Sequence, residues 1–117
     1  MAPYLEVDMT LHVLSLALEY IVVLRPLCAL IERRDRALGQ QLRRSGSSVP
    51  LNIGEAEYSD PGNRRARLFT AAGSANESRV TLKVAIGWGH VEAERAAAAL
   101  AIADRLMAML YRLLHGR

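Results

Sequence analysis

The stretch ERAAAALAIADRLMAMLYRLL, residues 94–114, leaves little choice of fold. Leu100, Ala103, Met107, Leu110 and Leu114 recur at spacings of 3 and 4, the period of an α-helix. Ile102, Leu106, Met109 and Leu113 form a second line at the same period. The polar face shrinks to Asp104, Arg105 and Arg112, and a helix apolar over most of its circumference is buried on more than one side. Residues 11–24 repeat the pattern, with Leu11, Leu14, Leu18 and Ile21 as one stripe and Val13, Leu16, Tyr20 and Leu24 as another. In so small a domain each helix should keep a solvent face. Two doubly striped helices therefore predict a homo-oligomer, with Ile102, Leu106, Met109 and Leu113 as its candidate interface.

The rest of the chain supplies two more helices. At 117 residues the chain is one domain, and it is rich in Ala and Leu with only six aromatic residues, which suits helices better than sheets. Alternating strand patterns are absent. The predicted helices cover about 8–30, 36–58, 61–88 and 92–114. ERRDR, residues 32–36, reads as a charged turn, and Pro26 as a kink or interruption late in the first helix. Ser59 or Asp60 caps the third helix ahead of Pro61, and Gly87 and Gly89 end it. The fold class is all-α, an up-and-down four-helix bundle.

Residues 42–57, LRRSGSSVPLNIGEAE, pull in two directions. SGSSVP has the look of a phosphate-cradling loop, but neither a preceding strand nor a following Lys is in place. Leu42, Val49, Ile53 and Ala56 instead share one helical face. If the helix continues, Arg44, Ser48, Asn52 and Glu55 lie on another face. Folding the chain about a turn at 59–62 sets residue i opposite roughly residue 121 minus i, on antiparallel packing. Arg44 then faces Glu77, and Ser47 and Ser48 face Gly73 and Ser74, small residues that let two backbones approach. Arg44, Ser48, Asn52, Glu55, Ser74 and Glu77 are the expected structural polar network, held by a half-buried Arg44–Glu77 ion pair.

The block LGQQLRRSGSSVPLNIGEA resembles the signature of the four-helix bundle family also called the rRNA intervening-sequence proteins. Leu38, Gln41, Arg43, Arg44, Ser48, Val49, Pro50, Asn52, Ile53 and Glu55 carry the match, and Arg67, Gly73, Ser74 and Glu77 extend it through RLFTAAGSANES. Gly54 stands where the family usually has Ala, and Ala56 where it prefers Gly. The resemblance implies a homopentameric barrel. The family includes the accessory variability determinant of diversity-generating retroelements, a basic pentamer that binds nucleic acid and partners a reverse transcriptase. Other members are encoded within insertions in large-subunit rRNA genes. Fold likeness alone does not fix function.

Charge sets the candidate sites. Net charge is +3, from fourteen Arg and a single Lys against twelve acids, a skew that favours bidentate contact with phosphate or carboxylate. Three clusters stand out: Arg33, Arg34 and Arg36; Arg43 and Arg44; Arg64, Arg65 and Arg67. All but Arg44, assigned to the structural network, are candidate nucleic-acid contacts, and a pentamer would repeat each cluster fivefold. The competing reading is a solvated face balanced by Glu32, Asp35, Glu55, Glu57 and Asp60, on a purely structural ring. Rings are sparse among the clusters, Tyr58 being the one taken as near, and Arg64, Arg65 and Arg67 oppose the dipole of the helix they open.

Catalysis has no footing. His12, His90 and His115 are scattered without ligand spacing, Cys28 lacks a His partner in frame, and no Glu-x-x-His occurs. No metal, cofactor or enzymatic activity is expected. Residues 11–31 are apolar, but Glu19 and Arg25 beside Pro26 argue against a bilayer. With no basic leader at its start and a lone apolar-flanked cysteine, the chain reads as cytoplasmic.

Overall fold

A computed structural model describes the backbone of residues 3–116 and the side chains of residues 9–116. Four helices follow in order, α1 (Pro3–Arg34), α2 (Arg36–Ala56), α3 (Pro61–Gly87) and α4 (Ala93–His115). Each packs on its neighbours in sequence, and α1 also packs on α4. The result is an up-and-down four-helix bundle in which α1 lies diagonally across from α3. Across that diagonal the buried Tyr20 hydroxyl and Ser78 Oγ are 2.7 Å apart. Burial pushes the Tyr20 phenol up to about 12, although the Ser78 bond pulls the other way.

The turns are short because their caps are local. Asp35 alone separates α1 from α2, and its Oδ1 accepts the Leu38 amide at 3.0 Å. Residues 32–34 belong to α1, so the charged turn predicted over 32–36 contracts to one residue. Pro26 does not end α1 either. It sits on the exposed side, where a carbonyl that loses its helical donor can turn toward solvent. Asp60 caps α3 through Asn63 N at 3.0 Å, with Pro61 in the first turn. The Asn63 amide and side chain hold the Asp60 carboxyl below its ordinary range.

α2 runs unbroken through SGSSVP. Ser45 Oγ donates back to the Gln41 carbonyl at 2.9 Å, and Gly46, Val49 and Pro50 are buried. α2 runs close to both neighbours, and its buried glycines lie on the α1 side. A Cβ on Gly39 would stand 2.3 Å from Glu32 Cγ and 2.8 Å from Glu32 N, and one on Gly46 would stand 2.7 Å from Leu24 Cδ1. A Cβ on Gly73, by contrast, would meet nothing within 4 Å.

Both apolar lines of α4 are used inside the subunit. Ile102, Ala103, Leu106, Leu110 and Leu114 are buried, while Leu100, Met107, Met109 and Leu113 pack partly buried against the same core. The proposed interface of Ile102, Leu106, Met109 and Leu113 is therefore wrong as drawn. α4 touches both α1 and α3, so it needs two apolar faces within one chain, and two stripes say nothing about a second copy. Large apolar side chains left outside lie on all four helices: Leu11, Leu18 and Val22 on α1, Leu51 on α2 with Tyr58 just beyond it, Phe69, Val80 and Val84 on α3 with Trp88 just beyond it, and Tyr111 on α4. By length and composition α1 could cross a membrane. Its Val13, Leu16, Ala17, Tyr20, Leu24, Leu27, Cys28 and Ile31 are buried in the bundle core.

Candidate nucleic-acid interface

The outward face of α2 begins at Arg36 and continues through Gln40 to Arg44, at helical spacing of four. Arg33, in the last turn of α1, joins it across the Asp35 turn. Arg33, Arg36 and Gln40 line a shallow groove of about 400 Å³ with Ala29 and Glu32. Arg43 forks onto Glu32, with Nε and Nη2 at 3.3 and 3.2 Å from its two oxygens. Glu32 raises the guanidinium above its ordinary value, and the fork ties Arg43 to α1. Arg33, Arg34, Arg36 and Arg44 are all exposed, and none is within 4.0 Å of a carboxylate among the described residues. Arg33 and Arg34 also sit at a helix C-terminus, where cations are favoured.

The third cluster is engaged differently. Arg67 bonds Glu55 at 3.0 Å and reaches Asn52 Oδ1 at 3.5 Å. Arg64 donates to Thr10 Oγ1 at 2.8 Å. Arg65 donates to the Leu114 carbonyl and lays its guanidinium 5.1 Å from the Phe69 ring centre. The antiparallel neighbour resolves the dipole conflict read from the sequence. Arg65 opposes the N-terminus of α3, but it satisfies a carbonyl at the C-terminus of α4, where positive charge is stabilising.

The polar network between α2 and α3 exists without its predicted anchor. Ser74 and Ser48 hydroxyls are 2.7 Å apart, and Asn52 Nδ2 donates to the Ser48 carbonyl at 2.9 Å and hydroxyl at 3.0 Å. Arg67 and Glu55 close the chain on the surface. Arg44 takes no part, and no Arg44–Glu77 pair forms. The two residues share a level, but level is only half of a helical register. Arg44 is rotated toward solvent, and Gln41 reaches Glu77 at 3.4 Å in its place.

An aromatic contact escaped the sequence reading. At the seam of α3 and α4, the Phe69 ring meets His115 edge-on at 6.5 Å between centres. His115 in turn lies 4.2 Å from Tyr111. Phe69 is 48% exposed and Tyr111 63%. Folding the second hairpin as the first was folded would have set Phe69 level with Tyr111. Among the described residues no group of three or more His, Cys, Asp or Glu could hold a metal ion.

The sequence profile of the 23S rRNA-intervening sequence proteins matches residues 9–112. The chain belongs to that family. A crystal structure from the S23 ribosomal protein family of Bacteroides thetaiotaomicron, a protein described as having unknown function, superposes with a TM-score of 0.83. That likeness covers 89% of this chain and 99% of the other at 22% identity, and it establishes the shared fold. No curated protein matches.

Proposed function

We propose that this family member is a non-catalytic, oligomeric accessory protein that binds RNA or DNA through Arg33, Arg34, Arg36 and Arg44. One observation carries the reading: four exposed arginines on the α1–α2 side, two of them lining a groove, have no carboxylate partner among the described residues. Such groups neutralise phosphate without first breaking an ion pair. Arg43 is a lesser contributor because Glu32 holds it, and Arg64, Arg65 and Arg67 act chiefly within the bundle.

The exposed apolar residues support an assembly. Those on α1 and α3 face opposite sides of the subunit because the two helices are diagonal. A contact between such unlike faces is heterologous, and repetition gives a ring when the rotation between copies closes and a filament when it does not. Five subunits and a reverse transcriptase as protein partner are what the family resemblance adds, and a cytoplasmic setting is what the sequence reading adds. In a ring joined through α1 and α3, the α2 arginines occupy one wall and α4 the other.

A purely structural ring is the second reading, favoured by the modest net charge of +3 and by the internal use of Arg64, Arg65 and Arg67. The test is binding of a labelled structured RNA and a DNA duplex across a salt series. The proposal expects micromolar or tighter binding that falls steeply with salt. Replacing Arg33, Arg36 and Arg44 by Ala together should flatten the log–log slope by up to about 3. No binding at low salt refutes nucleic-acid recognition. Leu18→Glu or Val84→Glu should reduce the mass measured by light scattering, and unchanged mass in both would refute the ring contact.

A further inference from the structure

The rings at the α3–α4 seam have no evident structural reason to be exposed. Phe69, His115 and Tyr111 touch in series, yet Phe69 and Tyr111 leave about half or more of their surface to water. Burial of a large ring is strongly favourable, so a purely structural cluster would turn inward. One cation stands against the rings. Arg65 lies over Phe69 and makes no ion pair with a carboxylate among the described residues.

Half-exposed rings, each with one side already packed on Arg65 or His115, beside a guanidinium without a carboxylate partner match one chemistry, a planar base joined to a phosphate. In a duplex the base faces are covered by their neighbours, so only the phosphates could be used. In a single strand both parts are available, and stacking on an aromatic side chain tolerates any base. We infer that Phe69 and Tyr111, with Arg65 against the Phe69 ring, form a stacking platform for single-stranded nucleic acid. The platform lies on the α4 side of the bundle, away from the α2 arginines. This inference rests on the nucleic-acid reading above, and it adds a preference that the arginines of α2 cannot supply. Those arginines hold phosphate in either form, while the platform favours unpaired segments such as loops and ends.

The test uses the full chain in its native assembly and two probes, a short single strand carrying 2-aminopurine and a DNA duplex. Wild-type protein should quench the 2-aminopurine fluorescence on binding. The Phe69→Ala, Tyr111→Ala double variant should lose that quenching and weaken single-strand binding about tenfold or more, with duplex binding nearly unchanged. Tyr111→Phe, which keeps the ring, should bind and quench as wild type does. Both side chains are largely exposed, so an unchanged circular-dichroism melt verifies folding. Equal loss on both probes, or no quenching by wild type, overturns the platform. A drop in assembly mass with single-strand binding intact overturns it too and assigns the patch to a contact between copies. If wild type binds the duplex and the Arg33, Arg36, Arg44 variant does not, while the double aromatic variant binds single strands normally, only the platform fails. If wild type binds neither probe, the nucleic-acid reading falls and takes this inference with it.

Discussion

Gly39→Ala is the sharpest test of how α1 and α2 are held. The added methyl would lie 2.3 Å from Glu32 Cγ, 2.8 Å from Glu32 N and 2.9 Å from Glu32 Cα, where ordinary contact is roughly 3.5–4 Å. The Glu32 side chain can swing aside, at the expense of its fork onto Arg43. Its backbone cannot, and the two helices must part by about half an ångström or more in a close-packed interior. Overpacking of this kind costs about 1–3 kcal/mol. Alanine returns about 0.5–1 kcal/mol through its better helix propensity. The net effect is a loss of about 1–2 kcal/mol, or a melting temperature lower by about 4–8 °C for a chain this long. Gly54→Ala is the matched control, because its Cβ meets nothing within 4 Å. It should raise stability by about 0.5–1 kcal/mol. Thermal and urea denaturation at one fixed protein concentration would read both. A Gly39→Ala protein as stable as wild type would refute the close α1–α2 contact.

Three further outcomes follow from the core and the caps. Leu106→Ala should cost about 2–5 kcal/mol in urea unfolding, because the side chain is fully buried within one subunit; a change in assembly mass with no loss of stability would restore the intersubunit reading. Tyr20 has its folded pKa raised from 10.0 to about 12, so its contribution is complete below pH 10 and is lost as pH rises through 12. Wild type should lose up to about 2–3 kcal/mol of stability across that window relative to Tyr20→Phe, and parallel curves for the two proteins would contradict it. Asp60→Ala should lower the melting temperature at neutral pH, and the difference should shrink as pH falls below 3.8, since a depressed carboxyl pKa stabilises only while the group is charged.

The parts of this fold that were legible in the sequence are those set by local chemistry. The Asp60–Pro61 start of α3 and the helical path through SGSSVP depend on caps and periodicity within a turn or two. The level of the α2–α3 hairpin was also readable, since Ser48 does meet Ser74. Three things were not readable, each because it depends on azimuth or on a third helix. Arg44 was placed by level alone, and a modest rotation took it from a core pair to the surface. The double stripe of α4 was assigned to a second copy because its contacts with α1 and α3 could not be counted from one helix. Phe69 stands two residues from Arg67 and could have been marked as a ring beside a basic cluster, but its edge-on contact with His115 depends on the azimuth of α4.

The single-residue turn at Asp35 makes the molecule a hinged rod. Only one dihedral pair, φ −149° and ψ 95°, separates the fold from a continuous helix over residues 3–56. Such a helix would be about 80 Å long, against a longest dimension of 47 Å for the bundle. The hinge is kept shut by the Asp35 cap on Leu38, the fit of Gly39 and Gly46 against α1, the Arg43–Glu32 fork and the shared core. If these give way together, the straightened rod exposes both core stripes at once. The remedy within reach is a second straightened chain, so that two molecules exchange α1 and rebuild each bundle from shared parts. A domain-swapped dimer is therefore the failure built into this turn, and Asp35 is the residue that guards against it.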